Sequence, residues 1–464
     1  MRIQVLFAIL VAMVVTGIML IAGQALLQPN RPLLEDVQFS NEVITPNADG
    51  NVDLTEIQYT LTRNATVSIT FEAADGTVYA FRQNEPRTAN DYRVLFSGVV
   101  DGYLLRGEEI TGIVERRLMP DGMYSWYVNA IADDGATETQ TGNFTIQEGS
   151  ADLPLLTSFS VSPREFTPNQ DGIADRVSID LYVEKPADLT VYLVGPEGQP
   201  IYVPQVEDRR EEGEPGRHIF DYDGGIDNGM DPPPNGIYTV VAIAQDWAGQ
   251  RIRREMTLEL RNGGDPKAEI VPQPNGLDVV FLSLPYDDRY TGTADQPGDL
   301  LLEPQIPLDL GFSQLTLPVG NMLTFKLVVE NYGSVPIRTS GPWPGAVYQQ
   351  DQVWGSSGVY EESGAWKIGI NCQTTTVDFP WRWAVASPDE LIVENDPVTG
   401  KPQYYLPAGA RSTVWGAVRF TRIIEARNPQ QCWAGLIHED VRMENPRIGA
   451  RDIELVALEA VTGS

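Results

Sequence analysis

A repeated turn constrains this chain more than any other feature. Residues 45–53 read TPNADGNVD and residues 167–175 read TPNQDGIAD, 122 positions apart. Downstream of each copy the residues alternate between apolar and polar. Ile57, Tyr59 and Leu61 are separated by polar residues, and so are Val177, Ile179, Leu181 and Val183. Val67, Ile69 and Phe71 then match Leu189, Val191 and Leu193. A period of two puts successive side chains on opposite faces, so these runs predict strands with one buried face. Further on, Pro120-Asp121-Gly122-Met123-Tyr124 matches Pro234-Asn235-Gly236-Ile237-Tyr238, each opening another alternating strand. Neither copy sustains a helical period. Antiparallel sheets with one apolar face must cover it against each other. The pattern therefore predicts two tandem β-sandwiches, over 31–149 and 150–263.

The order of these motifs, TPNxDGxxD, two alternating strands with a Gly turn, then PDGxY or PNGxY, resembles the Ig-like domain of the flagellar hook-capping protein. In the second copy, residues 218–224 (HIFDYDG) and 227–229 (DNG) resemble a further stretch of that family, with Phe220 where the family has Trp. The first copy, with Leu95-Phe96-Ser97-Gly98, departs from it. The resemblance covers about 35–263 and implies a module that occurs in tandem on secreted bacterial proteins. A fold shared so widely implies no function by itself.

The chain begins with an uncharged apolar run over 5–23, preceded by Arg2 and followed by Glu35 and Asp36. Nineteen helical residues cover about 28 Å, close to the hydrocarbon thickness of a bilayer. The run predicts one transmembrane signal anchor within 1–30, with the N-terminus inside and the remainder outside. A cleaved signal peptide is the alternative, with Gly23-Gln24-Ala25 as its cut. Either way the bulk of the chain is expected to be extracytoplasmic.

A third domain is expected over 264–464. Its lead-in to about residue 318 shows little periodicity, whereas Leu323, Phe325, Leu327 and Val329 alternate up to Glu330-Asn331-Tyr332-Gly333. Seven of the nine Trp fall here. Trp343, Trp354, Trp381 and Trp383 are candidate ligand-binding residues, since an indole face can stack on a sugar ring. Core packing is the other reading of the same residues. Cys372 and Cys432 are the only cysteines. In an exported chain the pair predicts a disulfide, with two buried thiols as the alternative.

Within the repeated turns, Asn47, Asp49, Asn51 and Asp53, and in the second copy Asn169, Asp171 and Asp175, alternate like the oxygen ligands of a calcium loop. The ligand count is short for calcium, and the preferred reading is an Asx turn, whose side chains bond nearby backbone N–H groups. Calcium remains a candidate cofactor, and no other is implied. The formal net charge of −31 argues against nucleic acid, because phosphate binding needs Lys and Arg. No GxSxG, HExxH or P-loop is present. Adjacent acids such as Asp287-Asp288 and Glu361-Glu362 are the nearest thing to a glycosidase pair. The sequence predicts a non-enzymatic, membrane-anchored structural and adhesive protein of the cell envelope. Its sandwiches would act as spacer and its third domain would meet a protein or glycan partner. A surface carbohydrate-binding protein is the alternative. The linkers around 148–155 and 261–266 should limit bending without forbidding it.

Overall fold

The computed structural model describes residues 31–206, 213–291, 298–307, 314–357, 362–396 and 399–457, together with Val15 and Thr16. The expected membrane segment at 5–23 lies outside the described residues apart from those two. Among the described residues no helix is long and apolar enough to cross a membrane. Among the described residues from 31 onward, regular structure is strand, interrupted by short 3-10 turns.

In the first unit, strands Leu34–Phe39, Thr55–Leu61 and Asn90–Phe96 form one sheet. It faces a five-stranded sheet ordered Val43–Ile44, Thr137–Ile146, Gly122–Ala132, Ala65–Ala73, Val78–Arg87. The alternation read from sequence is the alternation of burial: every second residue of Thr55–Leu61 is buried, and Val67, Ile69 and Phe71 close the core from the other sheet. The second unit repeats the plan. Leu156–Ser162, Val177–Val183 and Gly216–Tyr222 pack on a sheet that contains Asp188–Val194, Gly236–Gln245 and Arg251–Leu260. The PDGxY and PNGxY motifs have a shared purpose. The Tyr124 hydroxyl donates to Pro120 O, and the Tyr238 hydroxyl donates to Pro234 O at 2.6 Å. Each phenol is thereby buried while its polar end remains bonded.

The second sheet does not stop at its own unit. Beyond Arg251–Leu260 it continues into Ile113–Leu118 and Val99–Asp101, which belong to the first repeat in sequence. Gln250 sits at this junction. Its side chain accepts from Leu118 N and donates to Ser150 O, Asp152 O and Asp246 Oδ2. Ser97 Oγ donates to Ala248 O at 2.7 Å, and Lys185 pairs with Asp246 at 2.8 Å. Strand pairing with buried side-chain bonds is a stiffer connection than the short linker at 148–155 implied.

The third domain packs a sheet built on Met322–Asn331 and Arg411–Arg419 against an eight-stranded sheet centred on Trp366–Cys372 and Gln430–His438. Among the described residues the expected irregular lead-in contains three strands: Ala268–Val271 and Val279–Leu284, both paired with Met322–Asn331, and Leu315–Pro318, which runs parallel to Arg442–Val456. Ala268–Val271 and Leu315–Pro318 are too short to establish a period, and Val279–Leu284 is too continuously apolar to alternate. Cys372 and Cys432 are register partners on adjacent strands and are joined by a disulfide. Both are fully buried.

Candidate functional site

Both TPNxDGxxD turns fold by the same rules. In the first, Asn47 Oδ1 accepts from Asp49 N and Asp49 Oδ1 from Asn51 N, while the Asp53 carboxylate takes the N–H groups of Asn47, Ala48 and Gly50. In the second, Asn169 Oδ1 accepts from Asp171 N and Asp171 Oδ1 from Ile173 N, while Asp175 takes those of Asn169, Asp171 and Gly172. Gly50 and Gly172 lie at φ 84° and 83°, in the left-handed region that favours glycine. Asn47, Asp49, Asp53, Asn169, Asp171 and Asp175 thus each aim at least one side-chain oxygen at a backbone donor inside their own turn. The Asx reading describes both loops. Among the described residues, no three His, Cys, Asp or Glu side chains cluster as a metal site would need.

The two copies differ in their surroundings. In the first, Ala48, Asp49, Gly50 and Asn51 are exposed. In the second, Asn169 and Asp171 are buried, because the turn is inserted into the third domain. The receiving surface comes from three strands of the eight-stranded sheet and one turn. Arg338, on Ile337–Thr339, donates from Nε to Asp171 O at 2.6 Å and from Nη2 to Ser363 O. Its Nη1 is held by Glu362 at 3.0 Å and by Gln403 at 3.1 Å. Tyr405, on Pro402–Leu406, donates its hydroxyl to Asp171 Oδ2 at 3.1 Å. His438, at the end of Gln430–His438, places Nε2 2.8 Å from Gln170 O, so that nitrogen carries the proton. Its ring stacks on Trp366 with centroids 4.4 Å apart. Glycines make the floor. A Cβ on Gly172 would lie 2.0 Å from Ser363 O, and one on Gly364 would lie 2.1 Å from the Asp171 carbonyl carbon.

Burial shapes the electrostatics here. Desolvation, with the Asp175 charge adding to it, pushes the Asp171 carboxyl up to about 7. A neutral carboxyl suits a site where its outer oxygen meets a phenol and not a cation. Desolvation also pulls His438 down to about 4, so its ring is neutral in the seam at ordinary pH. Arg338 carries the positive charge of this contact, balanced by Glu362, and its guanidinium matches the carbonyls facing it.

The remaining candidates are scattered. Trp381 and Trp383 do point to the same side of a strand, but into the core: their exposures are 1% and 0%, so neither offers a ring to a ligand. The Trp383 indole donates to Ala346 O and packs edge-on against Phe325 and Tyr348. Trp343 is half-buried against Tyr404, and the half-buried Trp354 ring has the Arg382 guanidinium 3.8 Å from its centroid. Of the acid pairs, Asp287 caps a 3-10 turn through Arg289 N, and Glu362 serves Arg338. Glu361 lies outside the described residues. The seam residues Arg338, Tyr405 and His438 have no sequence signature. Only the second TPNxDGxxD motif pointed to their location.

No known family and no curated protein matches this chain. Solved structures share its β-domain character at low identity. A Ca2+-stabilized adhesin that helps an Antarctic bacterium reach out and bind ice is 13% identical, over 93% of this chain and 75% of that one, with a TM-score of 0.23. A two-domain fibronectin type III segment from chicken tenascin is 12% identical over 49% of this chain and 98% of its own, with a TM-score of 0.16. A tetra-tandem repeat from the extending region of a large adhesion protein is 11% identical over 83% and 77%, with a TM-score of 0.16.

Proposed function

We propose that this chain is a non-enzymatic structural and adhesive protein of the bacterial cell envelope. A leading apolar helix anchors it in the membrane, and its three β-domains stand outside as a stiff arm. The first two domains are kin to the hook-capping Ig-like modules and set the standoff distance. The third, at the far end, meets a protein or glycan partner.

The observation that carries this reading is the construction of both junctions. One is a sheet continued from the second unit into strands of the first. The other is a turn inserted into the third domain and bonded by Arg338, Tyr405 and His438. Domains on a flexible string need neither, because a linker alone leaves relative motion free. Buried polar bonds across a boundary fix an angle, and a fixed angle matters to a protein that must hold something at a distance.

Protease shaving of intact cells tests the placement. Digestion of everything after residue 30, with the leading peptide retained in the membrane, is the expected result. Full protection of the chain contradicts it.

A further inference from the structure

The chain holds two copies of one turn, and only one copy is docked. The groups that the third domain reads on the second copy are the Gln170 carbonyl, the Asp171 carbonyl and outer carboxyl oxygen, and the bare Cα of Gly172. The first copy presents the same set at Ala48, Asp49 and Gly50. The internal bonding matches, except that Asp53 takes Ala48 N where Asp175 takes Asp171 N, and so do the flanking left-handed residues: Ala48 and Gln170 at φ 68° and 57°, Val52 and Ala174 both at 54°. Asp49 Oδ1 is used by Asn51 N, and no described residue bonds its Oδ2 or the Ala48 and Asp49 carbonyls. A Cβ on Gly50 meets nothing within 4 Å.

The first junction explains why this copy is left over. Ser150 N donates to Pro46 O, so the turn lies beside the link to the second unit, as Pro168 lies beside Gly264 at the next link. The second unit, however, attaches through Ile113–Leu118, Ser97 and Gln250, and bypasses the turn.

We propose that the exposed turn at 45–53 is a docking plug for a second protein, a β-domain that surrounds a glycine-flat floor with guanidinium, imidazole and phenol donors. The occupied copy supplies the chemistry of the match. Two backbone carbonyls and a carboxyl oxygen call for donors, as their counterparts on the second copy receive from His438, Arg338 and Tyr405. The partner's arginine takes the Asp49 carbonyl, its hydroxyl takes Asp49 Oδ2, and its imidazole N–H takes the Ala48 carbonyl. A side chain at the position facing Gly50 would block approach, as one facing Gly172 would in the seam.

A seat of this kind exists in the chain itself and serves as the probe. Immobilised full-length chain carrying Asp171→Ala and Gly172→Arg has its own plug expelled, because the new side chain overlaps Ser363 O. Wild-type full-length chain in detergent is the analyte, and its first turn is the plug under test. Saturable binding is expected, weakened at least tenfold by Asp49→Arg in the analyte and abolished by Arg338→Ala in the immobilised chain. A second immobilised chain with Gly172→Arg alone repeats the measurement. The proposal is overturned if wild type binds neither chain, or if the Asp49→Arg analyte binds as well as wild type.

Discussion

Arg338 donates from Nε to the backbone oxygen of Asp171 at 2.6 Å, across the boundary between the second sandwich and the third domain. The two residues are 167 positions apart, and Arg338 is 5% exposed. A buried guanidinium that divides its donors between two domains makes the boundary part of the folded core.

Arg338→Ala removes the donor for the Asp171 and Ser363 carbonyls and should cost about 3 kcal/mol, since each buried acceptor left unpaired costs roughly 1–3 kcal/mol. Arg338→Lys should recover little of this, because an ammonium cannot reproduce the planar fork. Hydrogen exchange over 169–173, compared with global thermal unfolding, checks it. Faster exchange confined to that turn is expected at the first stage of heating.

The two turn glycines separate backbone strain from docking. Gly50→Ala and Gly172→Ala both force a Cβ into a left-handed backbone, at a cost of about 1 kcal/mol. Only the second also overlaps Ser363 O, at 2.0 Å. Gly172→Ala should therefore lower the unfolding midpoint of the third domain clearly more than Gly50→Ala does. Equal shifts would show that the seam is not tightly packed.

Asp171 and His438 give the seam opposing proton linkage. Asp171 is raised from 3.8 to about 7, so it holds a proton when docked and its stabilisation fades as pH rises from about 4 to 7. His438 is lowered from 6.5 to about 4, so it is neutral when docked and its stabilisation is lost as pH falls from about 6.5 to 4. Between pH 4 and 6.5 the two slopes cancel. Asp171→Asn should unmask the histidine, with stability relative to wild type rising by up to about 1.4 kcal/mol per pH unit across that window. His438→Gln should show the opposite slope. Denaturant unfolding at several pH values reads both, and two parallel slopes would refute the assignment.

Much of this architecture was legible in sequence, for a physical reason. Strands such as Thr55–Leu61 and Val177–Val183 have one wet face, so their composition records their periodicity. Trp366–Cys372 is buried on both faces, and Val279–Leu284 nearly so at its start. Alternation disappears where both faces are apolar, and the third domain was correspondingly opaque. The candidate site was half legible. The TPNxDGxxD motif marked the plug, although its carboxylates serve backbone N–H groups and the Trp pair 381 and 383 belongs to the core. The seat was invisible because Arg338, Tyr405 and His438 come from three strands far apart in sequence, and nothing local records their convergence.

The disulfide should be silent to mild reductant and expensive to lose. Cys372 and Cys432 are 1% and 0% exposed, so dithiothreitol alone should leave them joined, and reduction should require denaturant. Replacing both with Ala opens a loop with a sequence separation of 60, which on chain entropy costs about 4 kcal/mol. A fall in the unfolding midpoint of the third domain, with the first sandwich unchanged, is expected from differential calorimetry.

A stiff arm requires the three domains to keep one arrangement relative to one another. Spin labels at exposed positions in the first and third domains, introduced as Ala74→Cys and Asp389→Cys, test it most directly by electron–electron distance measurement. A single narrow distance distribution is expected, broadened when Arg338→Ala is added. A broad or multimodal distribution in the chain with Arg338 intact would contradict it.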